Sequence, residues 1–315
     1  MNNSLLVCGG SGLLGSSFIK ILHKKFDIVH ATFLNKKIDN KLNIYYHKIN
    51  FLSEIEIKKL LEKINPSVVI NCVGLADVDF CQKNPKSAYK HNFRTLKNLS
   101  KFLDPKIKLI HISTDQLFSD KKISHSELSI TNPINTYART KLLADKFLIE
   151  NRKNFLIIRT NFYGHSSDYK ESYSEKIFST LKKNQNIHLS DDIYFNPVNT
   201  KDLVDLTYKI LKKNASGIFN ISSDISISKY KFGKLIAKKF NLKKNLIKKF
   251  TTVNKSKTKR PLNMVLSNAK IKKYLKIKSI RANFYDFIPD RFLNYGRHFI
   301  FDDDKNSVLN ALNSG

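Results

Sequence analysis

The sequence predicts an α/β fold: a doubly wound parallel sheet, with a smaller lobe supplied by the second half of the chain. Three observations carry this. Short apolar runs alternate with amphipathic stretches through about the first 160 residues, the pattern of a parallel sheet covered by helices on both faces. A glycine-rich turn, Gly9-Gly10-Ser11-Gly12-Leu13-Leu14-Gly15, joins the first apolar run to the first amphipathic stretch. Beyond Arg159 the alternation loosens into polar loops and separate helices.

The elements follow in order. Residues 5–8 read as strand one and 13–24 as a helix, with Leu14, Phe18, Ile21 and Leu22 on one side. Residues 28–33 and 44–49 give strands two and three. A helix over 54–64 ends near Pro66, and strand four covers 68–73. A helix over 87–102 leads to strand five at 108–113. A helix over 137–150 leads to strand six at 155–159. In the second half, 166–175 reads as a loop, 175–183, 201–213 and 228–240 as helices, and 217–221 as a strand returning to the sheet. Residues 255–261 form a basic loop, and the polar 301–315 a fraying tail.

Composition bounds the function. The chain has 315 residues, 41% of them hydrophobic, with 22 Phe and no Trp. Its 56 basic and 26 acidic residues give 56 − 26 = +30, a field that attracts polyanions. Lysine is nevertheless spread along the whole chain, and no zinc-finger spacing or aromatic RNA-binding motif accompanies it, so nucleic acid is not the expected partner. Cys8, Cys72 and Cys81 are odd in number and form no CxxC. Buried thiols in a reducing compartment are expected. The N-terminus lacks the plan of a signal peptide. No stretch approaches the ~18 apolar residues of a membrane span. A cytoplasmic protein that does not insert into membranes follows, with homodimerisation left open.

The glycine turn follows a strand and opens a helix, the context a dinucleotide fingerprint requires. Gly9 permits the tight turn, Gly12 lets backbone approach a pyrophosphate, and Gly15 permits close helix packing. Leu13 and Leu14 begin the helix whose N-terminus faces the phosphates. Strand two ends in Asn35-Lys36-Lys37 without a carboxylate. An acidic residue there commonly holds the ribose of NAD, whereas Lys36 or Lys37 would meet a 2′-phosphate. NADPH is expected over NAD. Downstream, Tyr137 and Lys141 are four residues apart, hence on one face of a helix. An ammonium beside a phenol favours the phenolate, which predicts a Tyr137 poised nearer neutrality to pass a proton to a carbonyl oxygen.

These segments, with Asn71-Cys72-Val73-Gly74, Asn92, Ser113-Thr114-Asp115-Gln116-Leu117-Phe118, Asn132-Pro133-Ile134-Asn135-Thr136, Asp191-Asp192 through Asn196-Pro197 and Arg260-Pro261, carry a resemblance. Over residues 4–275 the chain resembles the extended short-chain dehydrogenase/reductases, in particular their dTDP-4-dehydrorhamnose reductase branch. The resemblance implies a Rossmann-type domain at 1–160, rejoined by about 196–221, and a substrate-binding lobe at 161–300. It implies that Thr114 holds the substrate carbonyl and Tyr137 is the general acid. Lys141 tunes the phenol and holds the nicotinamide ribose, and Asn92 supports a proton-relay water. Asn71, Val73 and Gly74 would line the cofactor's path. Asn50-Phe51, where the family usually has Asp and an aliphatic residue, would lie near adenine. Asp115, Gln116, Asn161 and Arg260 would face a nucleotide sugar, Arg260 through its diphosphate.

The implied activity is NADPH-dependent reduction of a nucleotide-linked 4-keto-6-deoxy sugar for surface polysaccharide. The alternatives are a nucleotide-sugar epimerase or dehydratase, or a non-catalytic NADP-binding subunit like the regulatory subunit of methionine adenosyltransferase. Dehydratases of the superfamily usually carry a second acid where this chain has Gln116. His111, inside strand five, reads as a packed histidine, and the Asp191-Asp192 pair is too little for a metal site.

Overall fold

The computed structural model describes residues 3–35, 44–119, 124–165, 171–251 and 258–283. The first half runs β1 (Ser4–Cys8), α1 (Leu13–Leu22), β2 (Ile28–Phe33), β3 (Tyr45–Lys48), α2 (Glu54–Ile64), β4 (Val68–Asn71), α3 (Val78–Lys83), α4 (Pro85–Tyr89), α5 (Thr95–Phe102), β5 (Lys108–Ile112), α6 (Thr136–Asn151) and β6 (Phe155–Thr160). The second half adds β7 (Phe162–Tyr163), α7 (Tyr173–Lys182), β8 (Ile187–Ser190), β9 (Tyr194–Phe195), β10 (Val198–Asn199), α8 (Thr200–Lys212), β11 (Gly217–Ile221), β12 (Ile227–Ser228), α9 (Lys229–Lys239), β13 (Ile247–Phe250) and α10 (Ala269–Leu275).

Seven of the strands make one all-parallel sheet in the order β11-β6-β5-β4-β1-β2-β3. The chain winds outward from β1 to β3, then outward the other way from β4. The switch point between β1 and β4 is where a ligand crevice opens in such sheets. Alternation sends Leu5, Val7, Ile70, Ile110 and Ile158 to one face, against Phe18 of α1 and Leu203 and Ile210 of α8. It sends Leu6, Cys8, Val69, Leu109 and Ile157 to the other, against Ile57 and Leu60 of α2, Leu96 and Leu99 of α5 and Leu148 of α6. Each such side chain contributes about 1.5–3 kcal/mol through burial. A separate apolar cluster joins Ile177 and Phe178 of α7, Leu189, Phe195 and Ile247 of the short strands, and Phe232 and Ile236 of α9.

The expected parallel sheet is present, including the return of residues 217–221 beside β6. Boundaries differ for local reasons. Strand four stops at Asn71, because the Asn71 side chain accepts the Val73 N–H at 3.1 Å and turns the chain. Helix one ends at Leu22, two residues early. The helix expected from residue 87 belongs to a longer helical run that starts at Val78, where Asp77 accepts from Phe80 N at 2.9 Å. In α3 only Val78 and Cys81 are buried, too few to create a visible period. Between α4 and α5, Lys90–Arg94 form one π-helical turn. Helix α7 begins at Tyr173, inside the expected loop, behind a capping box of Ser172 and Glu175. Lys36 and Lys37, residues 255–257 of the basic stretch, and the 301–315 tail lie outside the described residues. Among the described residues no helix is long and apolar enough to cross a membrane.

Candidate active site

The glycine turn sits at the carboxyl end of β1, at the sheet's switch point. Gly9 has φ +79°, a conformation side chains resist. A Cβ on Gly15 would lie 2.2 Å from Gly9 O, so only glycine lets α1 close onto the turn. Thr32 of β2 holds the loop from outside: its Oγ1 accepts from Gly9 N at 3.0 Å and its carbonyl from Gly10 N at 2.7 Å. Gly12 caps α1 without a side chain. The first-turn N–H groups of Leu13, Leu14 and Gly15 are thus left for an anion, and the turn fits a dinucleotide pyrophosphate. Asn35 is exposed just past β2. Asn50 is exposed too; its Oδ1 takes the Leu52 N–H and its own N–H bonds Glu56. Phe51, next to it, is 6% exposed and packs in the core cluster with α2 and α5.

Two residues beyond the end of β5, Thr114 meets the phenol of Tyr137 in a hydrogen bond. Helix α6 presents Tyr137 and Lys141 on one face, as their spacing requires. Its head is fixed by Asn135, fully buried, whose Oδ1 accepts from Ala138 N at 2.9 Å. Asn135 Nδ2 reaches Gln116 Oε1 and Lys259 O, both at 3.3 Å. Asn92 lies in the π turn and is buried. Its Oδ1 accepts from Leu75 N at 2.6 Å, and its Nδ2 donates to Thr140 Oγ1 of α6 at 3.0 Å. A Cβ on Gly74 would crowd that Oδ1 at 3.0 Å. Asn92 therefore ties the loop after β4 to the helix that carries the phenol.

The phenol itself departs from the sequence expectation. Burial raises the Tyr137 hydroxyl above its ordinary value, the Thr114 hydrogen bond opposes this, and Asp115 adds to it. The Lys141 ammonium points elsewhere, donating to Ile112 O at 2.6 Å and meeting His111 Nε2 at 3.1 Å. Desolvation dominates, so Tyr137 is not poised near neutrality. It stays protonated, the state a proton donor needs. Burial pushes Lys141 down to about 8, against the pull of Asp145 and Cys72.

Asp115 is buried, and burial lifts its carboxyl to about 6. Its Oδ2 accepts from Asn161 Nδ2 at 2.6 Å and its Oδ1 from Thr114 at 3.2 Å. Arg260 donates to Asp79 at 2.7 Å. Thr114, Asp115, Gln116, Asn161, Tyr137 and Lys141 are thus brought together. Among the described residues no group of three or more His, Cys, Asp or Glu side chains is placed to hold a metal ion.

The family model of the RmlD substrate-binding domain matches residues 2–290. The chain belongs to this RmlD family. It is similar to a probable low-salt glycan biosynthesis reductase, Agl14, of Haloferax volcanii, 26% identical over 235 residues, 73% of this chain and 78% of that one. It is also similar to methionine adenosyltransferase 2 subunit beta of Xenopus laevis, 24% identical over 277 residues, 85% of this chain and 81% of that one. Among solved structures, a dTDP-4-dehydrorhamnose reductase of Bacillus anthracis in complex with NADP superposes with a TM-score of 0.78 at 21% identity, covering 90% of this chain and 96% of that one. That likeness speaks to the fold.

Three features of this RmlD-family site escape sequence reasoning. Thr32 and Asn135 act by hydrogen bonds to turns distant in sequence. Lys229, at the start of α9, has its Nζ 4.5 Å from the Tyr173 ring and 4.8 Å from the Phe195 ring, a cation held by aromatic faces. It senses both Asp115 and Arg260 electrostatically. Nothing in its local sequence sets it apart from the other lysines.

Proposed function

We propose that this chain uses NADPH to reduce the 4-keto group of a nucleotide-linked 6-deoxy sugar in glycan synthesis. The observation that carries it is the Thr114–Tyr137 hydroxyl pair beside Lys141, set at the open end of a parallel sheet next to a glycine turn shaped for a pyrophosphate. Bound NADPH would supply the hydride. The chain supplies the rest. Thr114 Oγ1 orients the carbonyl oxygen, and the protonated Tyr137 phenol gives it a proton as hydride reaches the carbon. Lys141, on the same face of α6, holds the nicotinamide ribose. Asn92 holds α6 against the loop after β4, so the phenol keeps its place.

On this reading, residues 1–160 with about 196–221 form the dinucleotide-binding domain, and 161–300 mainly cover the sugar nucleotide. Asp115 and Asn161 meet sugar hydroxyls, while Arg260 and Lys229 face the diphosphate. The reductase names among the relatives, and the NADP in the Bacillus anthracis reductase, support the choice of reaction and cofactor. Gln116 beside Asp115 supplies no second acid, which disfavours dehydration.

NADPH absorbance followed with a panel of nucleotide-linked 4-keto-6-deoxy sugars tests this. Turnover confined to such sugars is expected. Tight NADPH binding with no turnover of any of them would favour the second reading, a binding subunit, to which the likeness to methionine adenosyltransferase 2 subunit beta points.

A further inference from the structure

His111 is fully buried on β5, where parallel pairing sets it directly beside Asn71 of β4. Paired residues of neighbouring strands share a face, and α6 lowers Lys141 onto that face. One continuous hydrogen-bond chain results. Val73 N–H donates to Asn71 Oδ1 at 3.1 Å, and Asn71 Nδ2 lies 3.2 Å from His111 Nδ1. His111 Nε2 lies 3.1 Å from Lys141 Nζ, which donates to Ile112 O at 2.6 Å. Burial and the neighbouring lysine hold the imidazole well below its ordinary value, so it is neutral.

A neutral imidazole has one N–H and one lone pair, so this chain can run in only two directions. With Asn71 Oδ1 on the Val73 N–H, Asn71 Nδ2 donates to Nδ1. The imidazole proton is then on Nε2 and points at Lys141, whose Nζ must accept as a neutral amine. With Lys141 an ammonium, Nζ donates to Nε2, and Nδ1–H donates to Asn71 Oδ1. The Asn71 amide is then turned over, and Val73 N–H is released. That N–H abuts the glycine turn: a Cβ on Gly9 would lie 3.1 Å from Val73 N.

We propose that His111 is a positioning residue that couples the charge of Lys141, through the Asn71 amide, to the availability of the Val73 N–H beside the glycine turn. A charged Lys141 presents that N–H to a ligand; a neutral Lys141 withdraws it. The inference rests on the proposed dinucleotide site only for what the N–H would meet. The charged or titratable groups facing Lys141 are Tyr137 one turn back on α6, His111 on β5, Cys72 after β4, and Asp145 one turn along α6, itself paired with Arg159 of β6 at 3.2 Å. Of these, His111 alone joins Lys141 to Asn71.

Lysine carrying carbon-13 at Cε, followed by NMR across pH, reads Lys141 directly. Its signal is assigned by its loss in Lys141→Met. The wild-type midpoint is expected near 8. In His111→Leu the Lys141 ammonium loses its acceptor on that side and the link to Asn71 is cut, so the midpoint should fall by about one pH unit, roughly a tenfold change in proton affinity. His111→Met serves if the leucine variant folds poorly. A midpoint unmoved in a folded variant overturns the proposal, since a merely packed histidine predicts that result. NADP affinity measured by calorimetry should weaken as pH rises through the same midpoint, and that break should be lost in His111→Leu. Affinity flat from about pH 6.5 to 9.5 overturns the Val73 link. Absence of dinucleotide binding at every pH would sink the functional reading instead, with the lysine titration still deciding the His111 coupling.

Discussion

Asn161 donates through Nδ2 to Asp115 Oδ2 at 2.6 Å, which binds the end of β6 to the end of β5 beneath the cleft. The pair holds a carboxyl that burial would otherwise drive from water and that still sits at about 6. A raised carboxyl binds its proton more tightly folded than unfolded. Its contribution to stability therefore falls as pH rises from about 4 to about 6 and stays low above. Asp115→Asn keeps the hydrogen bond and removes the buried charge. Thermal melts should show a gain on the order of 2 kcal/mol at neutral pH that vanishes by about pH 4, alongside a loss of turnover. An equal effect at both pH values would show that Asp115 is not buried as a charge.

Strand β2 ends at Phe33, and the exposed Asn35 just past it brings no carboxylate. Titration should show NADPH binding more tightly than NADH. Lys36→Glu should narrow the gap if Lys36 meets the 2′-phosphate. Equal binding of the two cofactors in the wild type would contradict the preference.

Arg260 and Lys229 come from different segments, one held by Asp79 and one by two aromatic rings. Each should contribute to binding a nucleoside diphosphate. Arg260→Ala should weaken dTDP, measured by calorimetry on NADPH-loaded protein, by roughly 1.5–3 kcal/mol. Lys229→Met, which keeps the aliphatic stem, should weaken it too, and more at low salt than at high. Losses confined to protein stability would place both residues outside the binding site.

Tyr137→Phe removes the proton donor and keeps the ring. Turnover should drop around 10²–10⁴-fold with NADPH affinity little changed. Lys141→Met should lower both. Near-normal turnover in Tyr137→Phe would reassign the general acid.

The sheet was legible in the sequence because its central strands β1, β4, β5 and β6 are short apolar runs, mostly buried on both faces, and Gly9–Gly15 announced the turn at its switch point. The Tyr137–Lys141 spacing announced a shared helix face. What the spacing could not reveal is where the lysine's charge goes. Lys141 is drawn to Ile112 O and His111, 29 and 30 residues upstream, and the phenol is set by desolvation instead. His111 reads correctly as a packed residue, yet its polar contacts come from β4 and α6 and leave no local trace. The same holds for Asn135, whose role as cap is local but whose reach to Lys259 spans 124 residues. Helix α3 is short and mostly polar, with no apolar period to read.

The most direct measurement of the central claim is isotope transfer. NADPH deuterated at the transferable position of the nicotinamide C4 is incubated with the protein and a nucleotide-linked 4-keto-6-deoxy sugar, and the sugar is examined by mass spectrometry. The account predicts a product reduced at C4 that carries the deuterium on that carbon, with Tyr137→Phe forming it far more slowly. A recovered sugar that is unreduced, or epimerised without deuterium, while NADPH remains bound and intact, would contradict it.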